Sequence, residues 1–452
     1  MTKIDEFFKF EEDNRLFDIL DEDGHRPWES VRFYVCWRVV NAFAPPHNLT
    51  SQRSSYVRRL FKHLYLIIYA IMYIIRHKHC PYMFMLSSRE KKDGIYYDKI
   101  CGKMYDLAVK SKSFSIDTIW HSDNYRYKGY TSPNELVPLM NLFIRKKIHF
   151  DFNEILSLLK SKYPDLCMSI KEMNSYYNDF KIQYKFYRFL FRYCNTKKVF
   201  IVQNGIQKGL FAAAKELGIE VIEFQHGQIN KNHPAYSYPN TNTVTSDKLY
   251  HPSKLLTFGT FWHKDRCYPG VENIVIGNDS YAENVVANNS GLKKQILVIS
   301  NMDDGNMLFS LVRSILNVDK DFYFYFKLHP NQYEEKQYFD ELTRDYKNIQ
   351  VLTNDYSINQ LLAKTDAVLL VQSTVELEAL KTGRKVFVIK EGAYRMMEFV
   401  FDERGVYLVD GVTDFIECYN NHKDEILPPR DDLFVPFKEE VARKLIQLND
   451  VN

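Results

Sequence analysis

The feature that most restricts the fold is an alternation running through the last third of the chain. Short apolar segments at 296–300, 322–327, 349–352, 367–371, 385–389 and 406–409 are separated by stretches of helical character. Strands that are apolar throughout are buried on both faces, as in a parallel sheet covered by helices. In an open parallel sheet, ligands bind outside the carboxyl ends of the strands. Two of those ends carry chemistry. The run Phe322-Tyr323-Phe324-Tyr325-Phe326 leads into Lys327-Leu328-His329-Pro330. The run Ala367-Val368-Leu369-Leu370-Val371 leads into Gln372-Ser373-Thr374, then a helix that Gly383 stops.

A second alternation precedes the first. Residues 82–86 read as a strand, and 198–202 as another, followed by the turn Gln203-Asn204-Gly205. An Ala-rich helix over 208–217 ends at Gly218, and the strand 221–224 ends in Gln225-His226-Gly227. Strands at 255–259 and 273–277 complete this unit, and the polar stretch 278–294 reads as a linker. The expected architecture is two tandem Rossmann-like, doubly wound α/β domains with a ligand cleft between them. The first would span 1–285, with helical additions at its N-terminus. The second would span 286–452, with its last helix, about 437–448, free to pack back on the first.

Bulk properties exclude several classes. A net charge of +3 does not suit a strongly basic nucleic-acid binder. The seven cysteines are scattered without a C-x-x-C pair, which argues against a disulfide framework or a zinc site. The first ten residues lack the basic start and apolar run of a signal peptide, so a cytoplasmic protein is expected. Residues 52–79 are distinctive. Arg53, Arg58, Arg59 and Lys62 precede the apolar run 64–75, and Arg76, His77, Lys78 and His79 follow it. Twelve residues are too few to span a bilayer, which needs about 20. Two readings stand: a helix lying peripherally on an anionic membrane surface, or a buried helix whose ends reach solvent.

Strand alternation puts Lys327 and His329 on one side, where they would stabilise a departing phosphate, although His-Pro also simply ends strands. Ser373 and Thr374 stand where hydroxyls and helix N–H groups would hold a phosphate, or where either would cap the helix. Glu376 and Glu378 either reach a ribose hydroxyl or favour the helix N-terminus. His226, exposed by a tight turn at Gly227, suits a general base, with His233 as a second candidate. Asp303-Asp304-Gly305 reads as a turn. No Walker loop, G-x-G-x-x-G or H-E-x-x-H is present, and neither a catalytic metal nor any other cofactor is expected.

On these residues the chain resembles the GT-B glycosyltransferases. Lys327-Leu328-His329-Pro330 and Gln372-Ser373-Thr374 are similar to the His-Pro and Ser-Ser/Thr motifs of bacterial sialyltransferases and polysialyltransferases. Related motifs occur in the Kdo transferases of capsule export and in teichoic-acid glycerophosphotransferases. The stretch 216–227 looks like the acceptor-domain segment of capsule and lipopolysaccharide transferases. Asp303-Asp304-Gly305 matches a sialyltransferase motif but lies 26 residues before His329, inside the second domain. The base role of that motif is therefore not carried onto Asp303 or Asp304.

The resemblance implies a glycosyltransferase of bacterial surface polysaccharide. Its donor would be a nucleotide sugar, CMP-linked Kdo or sialic acid, and its acceptor a glycan or lipid-linked glycan at the inner face of the cytoplasmic membrane. It implies catalytic roles for His226 and His329. Lys327, His329, Pro330, Gln372, Ser373, Thr374 and Glu378 would bind the donor, with Gln225, Gly227 and His233 on the acceptor side. The alternatives are a CDP-glycerol-type glycerophosphotransferase, a UDP-sugar epimerase of the same fold, and a non-catalytic scaffold.

Overall fold

Two sheets of six strands, each wholly parallel, organise the chain. The computed structural model describes residues 3–41, 56–88, 90–92, 95–109, 113–117, 139–140, 147–202, 205–239, 244–264, 269–282 and 294–447. The chain divides into two compact units. One comprises Met1–Gly277 with Phe437–Asn452, and the other comprises Asn278–Pro436. Residues 278–282, expected in the linker, belong to the second unit and form the short helix Asp279–Ala282; 283–293 lie outside the described residues. The last helix, Glu439–Ile446, belongs to the first unit, not the second. Ala442 and Ile446 enter the first unit's core, and Tyr82 Oη donates to the Ile446 carbonyl.

The first unit contains β1 (Tyr82–Leu86), β2 (Glu90–Lys92), β3 (Ile95–Tyr97), β4 (Ser113–Asp117), β5 (Lys198–Ile201), β6 (Glu220–Phe224), β7 (Lys254–Thr257) and β8 (Glu272–Val275). Its main sheet runs β4-β1-β5-β6-β7-β8, and β2 pairs with β3 in a separate antiparallel hairpin. Within the expected helical stretch 133–192, the long described helices are Asn153–Lys162 and Ile170–Cys194. A full capping box starts the latter: Ser169 Oγ accepts from Glu172 N, and the Glu172 carboxylate accepts from Ser169 N.

The helix Tyr56–Arg76 is buried along one face only, and its C-terminal end reaches solvent at Arg76. Ala70, Tyr73 and Ile74 are buried, and Tyr73 Oη donates to the Ser115 carbonyl at 3.0 Å. The opposite face, from Leu64 to Ile75, is exposed. Among the described residues, no helix is long and apolar enough to cross a membrane.

The second unit contains β9 (Gln295–Ile299), β10 (Tyr323–Lys327), β11 (Ile349–Leu352), β12 (Ala367–Leu370), β13 (Lys385–Ile389) and β14 (Val406–Val409), ordered β11-β10-β9-β12-β13-β14. Its core is aromatic and aliphatic: Phe322, Phe324 and Phe326 of the β10 segment pack with Phe309, Phe339, Phe387 and Phe415. Tyr323, Tyr325 and Lys327 on the other face are half-buried. Gly383 follows the helix Val375–Lys381 at φ +70, and a Cβ there would stand 2.5 Å from the Leu427 carbonyl oxygen. Both the left-handed turn and the close backbone require glycine.

Candidate functional site: three strand ends of the second unit

The strand order places the topological switch at β9. The chain moves from β9 outward to β10 and β11, then returns to the other side of β9 as β12. Ligands of such sheets bind at this crevice. Lys327 pairs with Ile299 on one side, and Leu370 pairs with Ile299 on the other. With about 4.8 Å between strands, the ends of β10 and β12 lie about 10 Å apart. The loop after β9, residues 300–304, sits between them. The His-Pro and Ser-Thr segments therefore flank one loop.

His329 is half-buried and precedes the 3-10 helix Pro330–Glu335. Its Nδ1 accepts from Asn331 N at 3.2 Å. In the neutral ring, that bond puts the proton on Nε2, making Nε2–H a hydrogen-bond donor. Pro330, the first residue of the helix, is exposed and supplies a φ suited to that position. Lys327 is half-buried, and desolvation lowers its pKa, partly opposed by Asp355. Its Nζ makes a 3.5 Å contact with the Tyr356 carbonyl. Among the described residues, it has no carboxylate at ion-pair distance. A partly dehydrated ammonium with no carboxylate at ion-pair distance among the described residues is a ready partner for an anion.

Across the crevice, Ser373 Oγ accepts from Val375 N at 3.2 Å, while Thr374 is exposed and makes no capping bond. Gln372 and Glu378 are half-buried. The helix that follows has only seven residues, so its dipole is small. Glu376 is different. It is fully buried, neither carboxylate oxygen has a hydrogen-bond partner among the described residues, and burial pushes its pKa up to about 8. It is held as the neutral acid beneath the site and does not face a ribose.

The loop after β9 is the part that sequence reasoning underrated. Asn301 Oδ1 accepts from the backbone N–H groups of Asp303 and Asp304, and its Nδ2 donates to Asp304 Oδ2 at 2.6 Å. The turn reading thus describes the backbone and its place after the first strand correctly; strand order adds that it lies between the ends of β10 and β12. Asp304 is nearly buried. Desolvation holds its carboxyl above the usual range, against the Asn301 hydrogen bond. Gly305 opens the helix Gly305–Val318 in close contact with Gln332 and Ser300. Ser300 Oγ donates to Gln332 Oε1 at 2.8 Å, which ties this loop to the 3-10 helix that follows His329. Gly392, at φ +52, brings the loop after β13 against Asp304 Oδ1. A glycine followed by a helix just after the first strand of the unit was the available signal.

In the first unit, the loop after β6 holds the other candidates. Gln225 is fully buried and structural: Nε2 donates to the Gly227 carbonyl, and Oε1 accepts from Phe258 N, both at 2.8 Å. This clamps the ends of β6 and β7 together. Gly227 has no left-handed φ, and a Cβ there would meet nothing within 4 Å. The tight-turn reason for that glycine is therefore corrected; it leaves open space beside His226. His226 is half-buried, with Nδ1 3.1 Å from Tyr236 Oη. His233 is half-buried, and burial, then the neighbouring His226, pushes its pKa down to about 3. Its Nδ1 accepts from Ala235 N at 3.3 Å, so it is a neutral, structural ring and a weak base.

A family described as capsule polysaccharide biosynthesis protein matches residues 300–404. That segment holds all three strand-end loops of the second unit and the Gly392 loop. No curated protein matches the chain. Among solved structures, the chain is similar to a UDP-GlcNAc 2-epimerase of Methanocaldococcus jannaschii, at 11% identity and TM-score 0.46, over 80% of this chain and 99% of that one. It is similar to Acinetobacter baumannii MurG at 10% identity and TM-score 0.46, over 81% and 98%. It is also similar to a Neisseria meningitidis UDP-GlcNAc 2-epimerase at 14% identity and TM-score 0.41, over 82% and 94%. The fold itself rests on the two parallel sheets.

One cluster elsewhere has metal-ligand spacing. Asp21, Asp23 and His25 offer atoms within 4.8 Å of one another. The ammonium of Lys181 already occupies its centre, at 2.6 Å from Asp21, 2.7 Å from Asp23 and 2.8 Å from His25 Nδ1. Burial, then Lys181, lowers the His25 pKa, which keeps Nδ1 an acceptor. Three acceptors saturate the three donors of the lysine. The cluster is an internal ion pair that joins the N-terminal segment to the helix Ile170–Cys194.

Proposed function

We propose that the second unit binds the phosphate of a nucleotide-activated sugar, and that the protein is an enzyme acting on such a donor in surface-polysaccharide assembly. The observation that carries this reading is Lys327. Its partly desolvated ammonium has no carboxylate partner among the described residues, and it stands at the switch point with the Nε2–H of His329. Ser373 and Thr374 face them from the other side of the central loop. Together these groups hold a phosphate and stabilise charge as a glycosidic bond to it breaks.

Two reactions use such a site. Transfer of the sugar to a glycan acceptor needs a base, and His226 takes that role. Its Nδ1 lies 3.1 Å from Tyr236 Oη, and with the proton on that nitrogen Nε2 carries the basic lone pair. The motif resemblance favours a CMP-linked donor for this reaction. Epimerisation of a UDP-sugar needs no acceptor. Two of the three solved structures named above are UDP-GlcNAc 2-epimerases, so this is the reading to separate from transfer.

Thermal unfolding against CMP, CDP, UDP, GDP and dTDP identifies the nucleotide, because a ligand at a hundredfold excess over Kd stabilises by about 2.7 kcal/mol. The shift should be lost in His329→Ala and Ser373→Ala. The corresponding nucleotide sugar is then incubated in D2O. Deuterium appearing at the sugar's C2 without acceptor assigns epimerisation. Acceptor-dependent nucleotide release without exchange assigns transfer. Stabilisation by no nucleotide, or an unchanged shift in both variants, would overturn the phosphate site.

A further inference from the structure

The helix Tyr56–Arg76 presents an apolar stripe that stays exposed among the described residues of the first unit. Leu64, Tyr65, Ile68, Ile71, Met72 and Ile75 are between 41% and 65% exposed. Their spacing places them along one face of a helix, opposite the buried Ala70, Tyr73 and Ile74. Six large apolar side chains in one row exceed the scattered exposure normal for a soluble surface.

The charge around the stripe names its occupant. The helix contains no acidic residue; Arg58, Arg59 and Lys62 stand in its first turns, and Arg76 ends it. Arg76, Lys78 and His79 are exposed. A second element continues the pattern. Lys78 Nζ lies 5.8 Å from the Tyr193 ring, which joins the end of this helix to the end of the helix Ile170–Cys194. There, Lys185 and Arg192 are exposed beside Phe189, which is 43% exposed, along an open groove that also includes Arg188 and Tyr193. Glu216 offsets part of that charge by pairing with Arg188 at 2.7 Å and with Arg192 at 3.6 Å, which leaves a net positive shoulder with Lys78 and Lys185. An apolar row beside a cationic and aromatic shoulder matches a bilayer interface, where acyl chains meet anionic headgroups. The apolar run of twelve residues rises about 18 Å along the helix, short of the roughly 30 Å hydrocarbon core. It therefore lies in the plane.

We infer that the helix Tyr56–Arg76 docks the first unit on an anionic phospholipid surface, with its Leu64–Ile75 stripe in the acyl boundary and Lys78, Lys185 and Arg192 at headgroup level. This inference is independent of the nucleotide reading, and its test uses no activity. The full chain is sedimented with vesicles of phosphatidylcholine alone and with vesicles containing one-third phosphatidylglycerol. Binding should appear on the anionic vesicles and weaken at high salt. The exposed-site variant Ile68→Asp/Met72→Asp should lower partitioning at least tenfold without moving the thermal midpoint. Lys78→Glu/Arg192→Glu should abolish the preference for phosphatidylglycerol. Absence of binding to anionic vesicles, or binding unchanged in Ile68→Asp/Met72→Asp, would overturn the inference. A wild-type dimer made monomeric by that variant, with no vesicle binding, would overturn it in favour of a second copy of the chain.

Discussion

Replacing Glu376 with glutamine should stabilise the second unit at alkaline pH and do little at pH 5. Among the described residues the buried carboxyl has no partner for either oxygen, and burial raises its pKa to about 8 from an ordinary 4.5. The unfolded chain releases this proton near pH 4.5, while the folded chain holds it to about pH 8. Stability linked to Glu376 is therefore complete below pH 4.5 and is lost as pH rises towards 8. At about 1.4 kcal/mol per pH unit, the loss reaches roughly 3 kcal/mol at pH 7 and approaches about 5 kcal/mol above pH 8. Glutamine has the same shape and no charge to lose. Any constant cost of its unpartnered amide cancels when two pH values are compared.

The assay is urea unfolding of wild type and Glu376→Gln at pH 5 and pH 8. All four tryptophans lie before residue 277, so their fluorescence reports the first unit and serves as an internal control. Circular dichroism reports both units. The stability difference between variant and wild type should widen from pH 5 to pH 8 by several kcal/mol in the circular-dichroism phase that tryptophan does not follow. Parallel pH dependence of the two proteins would refute the buried, protonated carboxyl.

Two further substitutions test the supports of the site. Gly305→Ala places a Cβ 2.7 Å from Gln332 Nε2 and 2.8 Å from Ser300 Oγ, so it should destabilise by about 1–3 kcal/mol and weaken nucleotide binding, read by calorimetry. Arg32→Met leaves Glu11 buried without its two-bond partner and frees the Pro234 carbonyl in the loop that carries Tyr236. It should cost about 3–5 kcal/mol in the tryptophan-monitored transition, and Glu11→Leu added to it should restore much of that.

The second unit was legible because its strands are buried on both faces and read as unbroken apolar runs; the observed β9 to β14 fall on the expected segments. The edge strand β4 was not. Its sequence, Ser-Phe-Ser-Ile-Asp, alternates polar with apolar residues, and the burial of Ser115 and Asp117 depends on partners far along the chain. The same reason hid two other features. Lys181 reaches Asp21 across 160 positions, and Gln225 clamps β6 to Phe258. In the candidate site, His329, Lys327 and the Ser-Thr pair were readable as polar residues ending apolar strands. That Asn301–Gly305 lies between them follows from strand order, which sequence spacing does not encode.

The central claim is that the three strand ends of the second unit hold a nucleotide's phosphate. Hydrogen exchange with and without the stabilising nucleotide, read by mass spectrometry, tests it most directly. The account predicts slowed exchange in 300–306, 328–333 and 373–378 together, and its loss in His329→Ala. Nucleotide binding that protects only the first unit, or leaves those three segments unchanged, would contradict it.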